Sequence, residues 1–148
     1  MDFDAVSNSP DETIKIGQRI GSQLRGGEVL ALCGPLGSGK THLIKGIAQG
    51  AGAADGRKVN SPTFVIVNEY SGRFDIYHID VYRINSIGEF EMLGFDDFCY
   101  PQSVVLIEWA DKIESALQTV NHIRIELFHA GESKRAVHVL NAPEYMTV

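Results

Sequence analysis

Hydrophobic positions along the chain switch between a helical period and a strand period, and the switches mark out the elements. Ile16, Ile20 and Leu24 recur at four-residue spacing, which puts them on one stripe of a helix. Ser9-Pro10-Asp11-Glu12 reads as its start, a capping box with proline at the first helical position, and Gly26-Gly27 as its stop. Gly17 and Gly21 lie beside the stripe, where they allow close packing. Residues 28–33 form a short apolar run, the pattern of a buried parallel strand. Leu43, Ile44, Ile47 and Ala48 return to helical spacing over 41–49, with Gly50 and Gly52 as stops.

Residues 50–58 are small and charged and read as a loop. Segments 64–70 and 74–79 are rich in valine, isoleucine and aromatics. They read as strands joined at a Ser71-Gly72-Arg73 turn. Ser86-Ile87-Gly88-Glu89 is a second capping-box pattern ahead of a short helical stretch near 90–93. Residues 104–107 are wholly apolar and predict a buried strand, 111–117 a helix. Segments 122–128 and 135–140 alternate as strands around a turn at Ala130-Gly131-Glu132, and the last residues are expected to fray. No repeat, low-complexity tract or linker interrupts the chain, which reads as a single domain over residues 1–148. The elements predict an α/β fold with a mixed, partly antiparallel sheet.

Between the 28–33 strand and the helix after it, residues 34–41 read Gly-Pro-Leu-Gly-Ser-Gly-Lys-Thr. This matches the phosphate-binding pattern G-x-x-x-x-G-K-[ST]. Its glycines let backbone N–H groups close round a phosphate, Lys40 reaches the outer phosphates, and the Thr41 hydroxyl is able to ligate Mg²⁺. Strand, glycine loop and helix come in the order that puts phosphates at a helix N-terminus. The fold expected is therefore a three-layer one like that of P-loop NTPases.

Such a site calls for an acidic residue at the end of a second strand, to hold the metal directly or through water. Glu108 follows the 104–107 strand and Asp80 follows 76–79. Both are expected at carboxyl ends of strands, where open α/β sheets bind ligands. Ser61-Pro62-Thr63-Phe64 lies before the first hairpin, and a threonine there is able to sense a γ-phosphate through Mg²⁺, as switch loops do. His78, Asp80 and Tyr82 are predicted to share one strand face, a polar set better suited to a site than to a core. Arg83 is a candidate for stabilising phosphate charge. Trp109, taken alone, reads as a core aromatic, the remaining histidines as structural or solvated, and Lys134 and Arg135 as a solvated turn.

Composition narrows the function classes. The chain has 148 residues, 44% hydrophobic and 22% charged, which fits one globular domain. Thirteen basic against nineteen acidic residues give a net charge of −6, which argues against a large nucleic-acid face of its own. The acidic start Met1-Asp2-Phe3-Asp4 is unlike a signal peptide, and no apolar run approaches a membrane span. Cys33 and Cys99 have no metal-ligand spacing and read as reduced thiols of a cytoplasmic protein.

Taken together, the loop at 34–41, Ser-Pro-Thr-Phe at 61–64, His-x-Asp-x-Tyr-Arg at 78–83 and Ile-Glu-Trp at 107–109 resemble the TsaE (YjeE) family in order and spacing, over nearly the whole chain. The resemblance implies an ATPase that binds ATP or ADP with Mg²⁺ and hydrolyses ATP slowly alone. It implies TsaB and TsaD as partners. They transfer a threonylcarbamoyl group to adenosine 37 of tRNA (the t⁶A modification), a transfer this family does not itself perform. The tRNA would be acted on through that complex, and no membrane would be involved. Carried over, Gly34, Gly37, Ser38, Gly39, Lys40 and Thr41 would hold phosphates and Mg²⁺. Glu108 would be the acidic metal partner, Asp80 would orient or activate water, and Lys40 and Thr63 would assist. Thr13 would lie near the nucleotide, Arg135 would reach it from the closing hairpin, and Trp109 would pack beside it. The usual family loop reads Gly-Asp-Leu-Gly-Ala-Gly-Lys-Thr. Here Pro35 replaces the aspartate, removing one N–H and one carboxylate, and Ser38 replaces the alanine. The alternatives are a small-molecule kinase, which needs an acceptor pocket and usually a lid, and a nucleotide-gated binding module. A GTP switch would carry an Asn/Thr-Lys-x-Asp motif that the sequence lacks.

Overall fold

The computed structural model describes residues 1–54, 56–59, 61 and 63–147. The strands are β1 (Phe3–Ser7), β2 (Val29–Cys33), β3 (Gly56–Val59), β4 (Ile66–Ser71), β5 (Asp75–Asp80), β6 (Ser103–Glu108), β7 (Ile123–His129) and β8 (Arg135–Leu140). The α-helices are α1 (Pro10–Ser22), α2 (Lys40–Gly50), α3 (Ile87–Glu91) and α4 (Glu114–Leu117), with 3₁₀ turns at Phe95–Phe98 and Ala110–Ile113. One mixed sheet runs β1-β8-β7-β2-β6-β5-β4-β3. Its centre, β7-β2-β6-β5, is parallel, and the hairpin partners on either side are antiparallel.

The wholly buried central strands face a core on each side, as parallel strands must. On one face Leu30, Leu32, Ile76, Leu106 and Ile125 pack under α1 and α2 through Ile16, Ile20, Leu43 and Ile47. On the other Ala31, Ile79, Val105 and Ile107 meet Phe90, Phe95, Ile113 and Leu117. The arrangement is the three-layer α/β fold that the pattern predicts.

Helix α1 begins as its capping box dictates: Glu12 N–H donates to Ser9 Oγ at 3.1 Å, while the Glu12 carboxylate takes the N–H of Asn8. Its glycines let it sink against α2. A Cβ on Gly21 would stand 2.1 Å from Ile47 O, and one on Gly46 the same distance from Ile14 O. Arg73 closes the far end, donating to Gly21 O (2.7 Å) and Leu24 O (3.3 Å).

Several expectations need correction. Strand β1 was not expected; it gains its partner from β8, far along the chain, and its own residues are half exposed. Residues 56–59 form edge strand β3 rather than loop, because Arg57 and Lys58 remain in solvent while the backbone pairs with β4; Asp55 lies outside the described residues. Ser86 stands at the α3 N-cap, but its side chain makes no capping bond. The 111–117 helix is split into a 3₁₀ turn and α4. The end of the chain does not fray through Thr147. Met146 is fully buried, the Tyr145 hydroxyl donates to Glu28 Oε2 at 2.6 Å, and Thr147 N–H donates to Gln23 Oε1 at 2.7 Å; Val148 lies outside the described residues.

Candidate functional site

Strand β2 delivers the chain into the glycine loop, and α2 takes it away. Gly37 (φ 77°) and Gly39 (φ 100°) occupy left-handed conformations, which lets the loop turn tightly enough for α2 to begin at Lys40. Gly39 offers no side-chain cap, so the first-turn N–H groups of α2 have no side-chain acceptor there. Leu36 is exposed at the loop tip, whereas Ser38 is buried.

Lys40 folds back on the loop. Its Nζ donates to Gly34 O at 2.6 Å and Pro35 O at 3.0 Å, and stands 3.7 Å above the Trp109 ring. Burial pushes its pKa down, against the opposing charges of Glu108, Asp111 and Asp80. Trp109 takes a left-handed backbone (φ 64°), unusual for a bulky residue. Behind it Tyr82 stacks at 4.7 Å and 17°, and Lys112 covers Tyr82 at 4.7 Å from the ring centroid. The result is a layered stack of cation, indole, phenol and cation beside the loop.

The two expected carboxylates end adjacent parallel strands. Asp80 of β5 is the register partner of Glu108 of β6, and Glu108 is that of Leu32 of β2. Ile76 and Leu106 face α1 and α2, so strand alternation puts His78, Asp80 and Glu108 on that same face. Glu108 is only 8% exposed and receives a 2.9 Å hydrogen bond from His78 Nε2. Asp80 Oδ1 accepts from Tyr82 N–H at 2.9 Å. Burial raises the Asp80 pKa, opposed by that backbone bond. Tyr82 does not continue the strand face as predicted; the chain turns after Asp80, which sends the ring to Trp109 instead.

A cavity of about 340 Å³ opens over the loop. Thr13, Gly37, Ser38, Gly39, Lys40, Thr41, Glu108 and Arg135 all line it, and so does Trp109. The Thr13 hydroxyl is bonded to Ser7 Oγ (2.6 Å) and Ser9 O (3.2 Å). Arg135 Nη2 donates to Gly37 O at 3.3 Å, so β8 grips the loop. Gly34 sits at the loop base, its carbonyl taken by Lys40. Asp80 stands beside Glu108 and is not in the cavity lining. Thr63 is not brought to the cavity: its Oγ1 accepts from Val65 N–H at 3.3 Å, and Pro62 of the same motif lies outside the described residues. Arg83 is exposed in the turn after β5.

Sequence reasoning missed Ser9, Pro10, Glu132 and Ser133 as cavity walls. In sequence Ser9 and Pro10 read as a helix start and Glu132 as part of a turn, Ser133 carries no pattern, and nothing local says which way a cap or turn faces. In sequence His78 is only part of a polar strand face; its bond to Glu108 spans two strands.

The family model described as "Threonylcarbamoyl adenosine biosynthesis protein TsaE" matches residues 7–137, which takes in every element from the end of β1 into β8. The chain belongs to the TsaE family. It is 42% identical over 130 residues to the tRNA threonylcarbamoyladenosine biosynthesis protein TsaE of Bacillus subtilis, covering 87% of this chain and 79% of that one. The TsaE of Aquifex aeolicus is 30% identical over 137 residues, covering 92% and 94%. The crystal structure of Bacillus subtilis YdiB superposes with a TM-score of 0.75 at 33% identity, covering 94% of this chain and 84% of that one. Against this TsaE background the glycine loop, Asp80, Glu108 and Trp109 are contiguous in space as well as ordered in sequence.

Proposed function

We propose that this TsaE-family chain is a Mg²⁺-dependent ATP-binding protein and slow ATPase. In this reading it serves tRNA threonylcarbamoyladenosine formation together with TsaB and TsaD, and it does not itself transfer the threonylcarbamoyl group. The observation that carries the reading is the convergence of the Gly34–Thr41 loop with Glu108 in one cavity wall and the Asp80 carboxylate on the neighbouring strand end. The family membership supports the pathway.

The residues fit a hard cation that arrives with phosphate. Thr41 and Glu108 offer oxygen donors on the cavity wall, with the Asp80 carboxylate beside them. Among the described residues, no group of three His, Cys, Asp or Glu side chains could hold a metal. Magnesium commonly binds through one or two protein oxygens plus substrate phosphates, which is this pattern. When bound, Mg²⁺ would neutralise charge on the outer phosphates.

The chain's own groups would do the rest. Loop N–H groups and the α2 N-terminus would cradle phosphate. Lys40 would leave the Gly34 and Pro35 carbonyls and the Trp109 ring for phosphate oxygens. Asp80 would hold the attacking water, and its raised pKa suits a group that takes a proton. Arg135 would approach from β8. Slow turnover alone is expected, because Arg83, the candidate for stabilising phosphate charge, is exposed in the turn after β5 and outside the cavity lining.

The test is multiple-turnover t⁶A formation by purified TsaB–TsaD with threonylcarbamoyl-AMP and tRNA, with and without this protein and Mg-ATP. Stimulation that vanishes with Lys40→Ala is expected. No stimulation, with ATP binding intact, would reject the assigned pathway; ATP affinity and hydrolysis unaltered by Lys40→Ala would reject the loop assignment.

A further inference from the structure

We infer that His78 is a positioning residue for magnesium: it holds the Glu108 carboxylate in the orientation that receives the metal. The inference rests on the reading of Glu108 as the metal-side acid.

The geometry has three parts. First, the bond is specific and inside the protein. His78 Nε2 stands 2.9 Å from Glu108 Oε1, and the two side chains are 14% and 11% exposed. A carboxylate only accepts, so Nε2 carries the hydrogen.

Second, the bond runs diagonally across the sheet. The register partner of His78 in β6 is Leu106, and that of Glu108 in β5 is Asp80. The imidazole therefore reaches two residues forward along β6, toward the loop. It occupies one carboxylate oxygen, Oε1, of a residue that lines the cavity. A shorter neutral side chain at position 78 would not span that diagonal. On its other flank His78 pairs in register with Asn68 of β4, so the ring has neighbours on both strands.

Third, Glu108 needs such a restraint. It is the last residue of β6, and the next residue, Trp109, turns sharply into a left-handed conformation. Across the register it faces Asp80, another carboxylate. The Lys40 ammonium lines the same cavity, so a donor on one carboxylate oxygen restrains Glu108 against a second attraction. Outer-shell donors of this kind fix a metal ligand's orientation, and losing one typically costs about 10–100-fold in metal affinity or activity.

The experiment compares wild type, His78→Leu, which keeps volume without a donor, and His78→Gln, whose amide can restore it. Binding of a fluorescent non-hydrolysable ATP analogue is measured in EDTA and then over a Mg²⁺ titration, with thermal unfolding as a check on each variant. The expected result is that His78→Leu binds the analogue within about twofold of wild type in EDTA but needs roughly tenfold more Mg²⁺. His78→Gln should recover much of that loss. A Mg²⁺ midpoint in His78→Leu equal to wild type would overturn the inference. So would equal shifts in both variants, since a merely packed ring has no need of a donor. Should His78→Leu not fold, the comparison of His78→Gln with wild type still decides: a Mg²⁺ midpoint shifted tenfold or more, with EDTA affinity intact, would overturn the donor role. Failure of the underlying reading looks different: wild-type binding would ignore Mg²⁺, or Glu108→Gln would leave the Mg²⁺ midpoint unchanged.

Discussion

Asp80 illustrates how a single residue's surroundings set its chemistry. It is an ordinary strand-end aspartate in sequence. Burial at the end of β5, beside Glu108, raises its pKa above the usual value of 3.8. An acid with a raised folded pKa binds more protons folded than unfolded between the two values, so its ionisation costs stability as pH rises through that window. Asp80→Asn keeps an acceptor for Tyr82 N–H and removes that cost. The expected outcome in urea unfolding of the ligand-free protein is a gain at pH 7 that disappears as pH falls toward 4. The same variant should bind ATP and lose most hydrolysis, measured as phosphate release. Trp109 makes a second residue-scale case. It is the only tryptophan in the chain, and the Lys40 ammonium sits on its ring. If Lys40 moves to phosphate, the indole loses a cation. Tryptophan emission should therefore change on adding Mg-ATP, and Lys40→Ala should abolish most of that change.

At the scale of elements, the decisive contact is between α1 and α2. These helices approach until backbone meets backbone, and that closeness keeps Thr13 and Ser9 against the loop from which α2 springs. Gly46→Ala would drive a Cβ to 2.1 Å from Ile14 O, a backbone atom unable to step aside. Overpacking of this kind costs about 1–3 kcal/mol or more, so a clear drop in the urea midpoint is expected, with weaker nucleotide binding as α1 is displaced. Arg73 works at the other end of the same pair. Its guanidinium takes the carbonyls of Gly21, in the last turn of α1, and of Leu24, just past it, and its own N–H donates to Ala51 O just past α2. Arg73→Met keeps the stem and loses the charged donors. It is expected to cost about 1–2 kcal/mol in denaturant unfolding while leaving nucleotide affinity near wild type, because the turn lies far along the helices from the loop.

Across the whole molecule, the sheet order brings chemistry together. Placing β2 between β6 and β7, with β5 beyond β6, sets the glycine loop next to Glu108 and then Asp80 at the carboxyl ends of the central strands. Strand β8, adjoining β7, swings Arg135 back to Gly37 O. Residues more than ninety positions apart in sequence thus line one cavity. The β1–β8 pairing extends this from the chain's start: it holds Ser7, whose hydroxyl meets that of Thr13.

Most central elements and the glycine loop were legible in the sequence, because each depends on local causes: an apolar run for β2 and β6, a capping box for α1, glycines ahead of Lys40. The two edge strands were not. Residues Phe3–Ser7 and Gly56–Val59 carry little apolar pattern, and what makes them strands is the backbone of β8 and β4. Among site residues, the sequence by itself determined the phosphate-loop pattern and the two acids that follow apolar strands. Only the tertiary structure decided which of them meet. It put Glu108 in the cavity wall and Asp80 beside it, left Thr63 outside the lining, and joined His78 to Glu108 across two strands. The physical reason is that helix and turn chemistry acts within a few residues. Register, sheet order and side-chain direction are settled by burying both sheet faces at once, which no local segment can do alone.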